Sequence, residues 1–166
     1  RSVSKVKHKL DGKGLDGLIN NAGMAEGGPL LYMDMDLIKH HFEVNVFGVI
    51  RVIKCFAPLL GAVVNYPNIP GRIINISSTS GRVTSPFIAP YVGAKHALEG
   101  ISGSLRKELM KFGIDVMIIR PGVVKTPIWD GTEDLTKDWR HLPAPNPICD
   151  AHSSRSAAER LVNMFP

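Results

Sequence analysis

Apolar residues fall along this chain in two patterns: short, nearly solid runs, and longer stretches in which they recur every three or four positions. Leu15 to Asn20, Ile73 to Ile76 and Asp115 to Ile119 are the solid runs, and runs this short with no polar face read as buried strands. The periodic stretches read as helices. Val3, Val6 and Leu10 make the first, with Gly14 as its C-cap. Met35 to His40 and Phe42 to Leu60 make two more, and Tyr91 to Phe112 a fourth, in which Ala97, Leu98, Ile101, Leu105 and Leu109 keep helical spacing. Loops are expected at Gly23 to Pro29, at Asn65 to Gly71 and between Pro86 and Pro90, and Arg120-Pro121-Gly122 stops the third strand.

Short apolar strands separated by helices predict an α/β fold, a Rossmann-like doubly wound parallel sheet with helical crossovers. Ligands of such sheets sit beyond the carboxyl ends of the strands. That directs attention to Asn20 to Gly23, Ser77 to Gly81 and Pro121 to Thr126. After Trp129 the chain turns irregular, with Pro143, Pro145 and Pro147, before a capping box of Ser156 and Glu159 ahead of Leu161 and Val162. The whole is read as one domain over 1–166. Residues 1–13 end a helix, 14–126 form the sheet and helix core, and 127–166 form a substrate-covering segment.

Composition agrees with a folded domain and narrows the function. The 166 residues are 44% apolar and 21% charged, enough for a core without disulfides. The net charge of +5 raises the question of nucleic acid. Its one dense basic run, Arg1 to Lys13, interleaves with the apolar stripe of the first helix and reads as a solvated face; no nucleic-acid motif accompanies it. Val44 to Val64 has the length of a membrane span, but Arg51 and Lys54 near its centre would cost roughly 5 kcal/mol in lipid, so a buried helix is expected. No apolar signal-peptide region follows the basic first residues. Cys55 and Cys149 give neither a metal spacing nor a redox motif, so no metal site is expected, and two free thiols point to a reducing, cytoplasmic setting.

Four sets of residues could carry chemistry. Tyr91 and Lys95 stand four apart on a helix, one turn from each other on one face. A cation close to a phenol favours the phenolate and lowers its pKa by about 1 to 3 units, which makes a tyrosine useful as a general acid/base. Ser78, at the end of the second strand, could hydrogen-bond a substrate oxygen or simply satisfy a turn. Asn20 and Asn21 could contact a ligand or tie neighbouring strands. Asn45, inside an apolar helix, needs a partner and so belongs to a polar network.

Taken together, Asn20-Asn21-Ala22-Gly23, Asn45 within Val-Asn-Val-Phe-Gly, Ser78 followed by Gly81, Tyr91 and Lys95, and Pro121-Gly122 with Thr126 resemble the short-chain dehydrogenase/reductase family of the classical type. The resemblance runs from about Leu15 to Thr126. It implies an NAD- or NADP-dependent oxidoreductase that interconverts an alcohol and a ketone or aldehyde by hydride transfer. By the same resemblance Tyr91 is the general acid/base, Lys95 lowers its pKa and hydrogen-bonds the nicotinamide ribose, Ser78 orients the substrate oxygen, and Asn45 holds a water that links the lysine to solvent. Asn20, Asn21, Ala22 and Gly23 line the ribose, and Pro121, Gly122, Val124 and Thr126 lie at the nicotinamide carboxamide. A small-molecule substrate and a homodimer or homotetramer are implied as partners.

Two departures qualify the match. Ala94 replaces the serine common before the lysine. The glycine-rich phosphate loop that should precede the Leu15 strand is not found, because only Gly12 and Gly14 stand upstream of it. The expectation is therefore a partial sequence whose sheet is missing its first strands. The alternative is a non-catalytic homologue that acts through the apolar faces of its Val44–Leu60 and Tyr91–Phe112 helices.

Overall fold

Parallel pairing of the three apolar runs organises the chain. In the computed structural model, which describes Leu10 and residues 13–129, they become β1 (Gly17–Asn20), β2 (Arg72–Ile76) and β3 (Asp115–Ile119). The order is β1-β2-β3 and both pairings are parallel. The register aligns Leu18 with Ile73 and Val116, and Asn20 with Asn75 and Ile118. β1 begins two residues after the expected Leu15, whose N–H bonds outside the sheet, while the carbonyl of Asp16 opens the ladder to β2. Leu15 N–H donates to Leu59 O at 2.8 Å, and Asp16 O accepts from Arg72 N–H at 3.1 Å.

The two helices expected before β2 form one continuous helical run of four parts. Asp34 opens it, its side chain accepting from Asp36 N–H at 2.6 Å, as an N-cap does. Then come α1 (Met35–Phe42), a π-helical turn (Glu43–Gly48), α2 (Val49–Phe56) and a 3-10 turn (Ala57–Leu60). Val46, Val49, Ile53, Phe56 and Leu60 are buried while Arg51 and Lys54 face water, which is the one-sided pattern of a helix packed on protein. No helix among the described residues is long and apolar enough to cross a membrane. The last helix, α3 (Ala89–Leu109), starts two residues earlier than Tyr91 and continues as a 3-10 turn through Phe112. Short 3-10 turns also occur at Leu30–Tyr32 and Pro127–Trp129.

Strands joined in chain order by right-handed crossovers place their crossover helices on one side of the sheet. The core follows from that. Val49, Ile53 and Leu60 from the first helical run and Leu98 and Leu109 from α3 enclose Ile73, Ile114 and Val116. On the opposite face Ile19, Met117 and Ile119 are 64%, 36% and 49% exposed. The apolar runs predict strands covered on both sides, and the described residues cover one of them. Most of the helix expected over 1–13, the segment 130–166, the Ser156 capping box and Cys149 lie outside the described residues. Cys55, in α2, is a free, half-buried thiol.

Leu98 is 1% exposed at the centre of this core. Leu98→Ala should lower stability by about 2–5 kcal/mol in denaturant unfolding, from lost transfer energy and a residual cavity. Val64→Ala, at a position 84% exposed, should stay within about 0.5 kcal/mol of the parent.

Candidate active site

Beyond the last paired residues, the ladder between β2 and β3 continues into the loops. Ser77 N–H donates to Ile119 O at 2.8 Å and Thr79 N–H to Pro121 O at 3.0 Å. A cleft of about 620 Å³ opens at these carboxyl ends, large enough for a small-molecule ligand. Its walls are Asn21, Ala22 and Gly23 after β1, Ile76 to Ser80 at the end of β2, Tyr91 and Lys95 from α3, and Pro121 to Val124 with Thr126 to Ile128 after β3. Most residues singled out from the sequence meet here: Asn21, Ala22, Gly23, Ser78, Tyr91, Lys95, Pro121, Gly122, Val124 and Thr126 all line it. Asn20 and Asn45 do not.

Those two amides build the frame behind the cleft. Asn20 ends β1, 7% exposed, and its Nδ2 donates to Asn75 Oδ1 at 2.8 Å. Asn75 Nδ2 in turn donates to Ser102 Oγ at 2.8 Å, so one buried polar chain joins β1, β2 and α3. Of the two readings open for Asn20, the strand tie is the one its side chain makes. Asn45 sits in the π-helical turn, 1% exposed, and its amide brackets one backbone unit. Its Oδ1 accepts from Met24 N–H at 3.1 Å and its Nδ2 donates to Met24 O at 2.9 Å. The polar partner expected for it is therefore the loop after β1.

Ser78 caps the 3-10 turn Thr79–Gly81, its Oγ accepting from Ser80 N–H at 3.1 Å. Accepting that bond leaves its own hydroxyl hydrogen available to donate. Tyr91 and Lys95 are both buried on one face of α3, with Lys95 Nζ 5.6 Å from the tyrosine ring centroid. Lys95 Nζ donates to Ile76 O, the last carbonyl of β2, at 2.9 Å. Burial pushes the ammonium from its ordinary 10.5 down to about 8. Gly23 lets the backbone pass close by: a Cβ there would stand 2.8 Å from Asn45 Oδ1 and 3.8 Å from Lys95 Nζ.

Sequence reasoning missed two elements of the site's surroundings. Glu99, one turn beyond Lys95, holds a buried carboxylate that accepts from Arg120 Nε at 2.8 Å and Arg120 Nη2 at 2.6 Å, with Arg82 Nε at 3.4 Å. Burial pushes the Glu99 carboxyl up. The hydrogen bond from Arg120, the nearby Ser77 hydroxyl and the charges of Arg120 and Arg82 outweigh it, and the net shift is downward. The signal was its helical register with Tyr91 and Lys95. The second element is His41, fully buried, whose Nε2 accepts from Glu26 N–H at 3.0 Å while Nδ1 faces Leu37 O at 2.9 Å. With Nε2 accepting, Nδ1 carries the proton, so a neutral ring ties the loop after β1 to α1.

Residues 1–136 match the family model described as short chain dehydrogenase. Over 129 residues the chain is 43% identical to the NADPH-dependent 3-dehydrocapnine reductase of Ornithobacterium rhinotracheale, covering 78% of this chain and 45% of that protein. It is 36% identical over 137 residues to the mitochondrial D-beta-hydroxybutyrate dehydrogenase of Bos taurus, covering 79% and 38%. Among solved structures it resembles a gluconate 5-dehydrogenase from Burkholderia cenocepacia in complex with NADP and tartrate, with a TM-score of 0.68 at 27% identity over 76% of this chain and 48% of that one. A 3-oxoacyl-[acyl-carrier protein] reductase from Brucella melitensis in complex with NAD gives the same TM-score at 29% identity, over 76% and 51%. The chain spans less than half the length of these curated relatives.

The lysine's lowered pKa makes its burial measurable. Between about 8 and 10.5 the unfolded chain holds a proton that the folded chain has released, so this group makes stability rise with pH through that window. Below it, a cost of roughly 3 kcal/mol persists. Lys95→Met should therefore be more stable than the parent at pH 7, less about 1–2 kcal/mol for the carbonyl of Ile76 left without its donor. The advantage should shrink towards pH 10 in paired denaturant titrations.

Proposed function

Because the chain belongs to the short-chain dehydrogenase family, we propose that it forms the catalytic part of an NAD(P)-dependent oxidoreductase that interconverts an alcohol with a ketone or aldehyde. The observation that carries this reading is the buried Tyr91–Lys95 pair lining one cleft together with Ser78. The relative named an NADPH-dependent reductase and the similar folds solved with NADP or NAD support the cofactor class.

The residues present fit the nicotinamide-ribose end of such a cofactor. Asn21, Ala22 and Gly23 line the cleft beside Lys95, and Gly23 brings its backbone there without a side chain that would press on Asn45. Asn21, Ala22, Gly23 and Lys95 would hold the ribose, and Pro121, Gly122, Val124 and Thr126 the carboxamide. When bound, the nicotinamide supplies the hydride acceptor for oxidation and the hydride donor for reduction.

The chain's own residues handle the proton. Ser78 donates its free hydroxyl hydrogen to the substrate oxygen and fixes its position. In oxidation Tyr91 Oη takes the proton of the substrate hydroxyl; in reduction it returns that proton to the carbonyl oxygen. The ammonium of Lys95, buried and 5.6 Å from the ring centroid, places a positive charge beside the phenol and is itself held by Ile76 O. Asn45, clamped on Met24, holds the loop that passes beside Lys95. A homodimer or homotetramer joined through the Val44–Leu60 and Tyr91–Phe112 helices belongs to the same reading, supported by half-exposed Phe47 and by open space over Gly100 and Gly103.

Tyr91→Phe should lower the turnover of a secondary alcohol by about 10²-fold or more while nicotinamide cofactor still binds. Absorbance of the reduced cofactor reads the first and quenching of protein fluorescence the second. Retained turnover would overturn the role of the phenol.

A further inference from the structure

The cleft lies between two segments that leave neighbouring strands, 77–83 after β2 and 120–126 after β3. Among the described residues, the last backbone bond between them is Thr79 N–H to Pro121 O. Both segments also meet one side chain of α3. Arg120, immediately before Pro121, grips the Glu99 carboxylate with two parallel N–H donors at 2.8 and 2.6 Å. Arg82, just after the Ser78 turn, approaches the same carboxylate at 3.4 Å. A forked guanidinium bond fixes direction as well as distance, which a single point contact does not.

The packing around Glu99 is equally close. Gly81 of the Ser78 turn has no room for a side chain: a Cβ would lie 2.7 Å from Ser77 Oγ, 3.0 Å from Glu99 Cγ and 3.2 Å from Lys95 O. Ser77 Oγ, in a residue 3% exposed, is buried next to the carboxylate without a hydrogen bond of standard geometry. Tyr91, Lys95 and Glu99 recur every four residues, so one helical stripe carries the phenol, the ammonium and this carboxylate. We propose that Glu99 is a positioning residue that locks the Ser78 turn and the Pro121–Thr126 segment to α3 and so sets the width of the cleft. Its bearing on hydride transfer rests on the function proposed above; the clamp itself does not.

Amide hydrogen exchange on the full chain tests the clamp without turnover. Glu99→Gln keeps the shape and removes the charge; exchange should quicken by about tenfold or more in both 77–83 and 120–126 while β1 amides keep their rates. Unchanged rates in either segment, or an equal rise throughout the sheet, would overturn the proposal. If Glu99→Gln does not fold, Arg120→Lys carries the test, since it keeps the charge but loses the fork. It should loosen 120–126 and spare 77–83, and no change in 120–126 would overturn the clamp. In turnover, Arg120→Lys should lower kcat more than it raises KM for the alcohol and leave the pH midpoint of the rate in place. An unaltered kcat beside a loosened segment would remove the positioning role. A parent protein without turnover would count against the proposed function and leave the exchange result to decide the clamp.

Discussion

A lysine ammonium taken almost entirely out of water must be given acceptors by the backbone, and the construction of this cleft follows from where those acceptors lie. Lys95 spends one N–H on the carbonyl of Ile76, which fixes α3 against the end of the central strand. That contact also sets Tyr91, one turn earlier, above the same strand end. The price in solvation is visible in the lowered lysine pKa, and it is borne by the packing of Leu98, Ile73 and Val116 beneath.

Around that contact the frame is polar and satisfied. The Asn20–Asn75–Ser102 chain joins β1, β2 and α3 below the cleft. The amide of Asn45 and the neutral ring of His41 hold two points of the loop after β1, at Met24 and Glu26. A further tie runs from Gly28 N–H to Phe87 O at 2.7 Å, and Phe87 adopts a left-handed backbone, φ +64°, four residues before Tyr91. A bulky residue held there stores strain of about 1–3 kcal/mol, which the surrounding contacts must offset.

How much of this was legible depended on the kind of signal. Solid apolar runs gave the strands to within two residues, because a strand buried among helices has no polar face to blur its limits. Ser78, Tyr91 and Lys95 could be read from spacing and resemblance together, since their chemistry requires those residue types at strand and helix ends. The π-helical turn at Glu43–Gly48 was not legible: over so few residues its apolar spacing is that of an α-helix, and only the buried Asn45 hinted at something unusual. Glu99 and His41 were missed because each is a residue type that normally faces water. Their burial follows from which side of α1 and α3 meets the sheet, a fact of tertiary packing.

The tie between Asn20 and Asn75 has a consequence for how the chain comes into being. Its partners are 55 positions apart. At a synthesis rate of roughly 5–20 residues per second, β1 emerges roughly 3 to 10 seconds before the strand it pairs with exists. During that interval the edge of β1 that pairs with β2 has no partner. Parallel pairing across such a separation is intrinsically slow as well, so this edge is the one a nascent chain must keep from mispairing until β2 arrives.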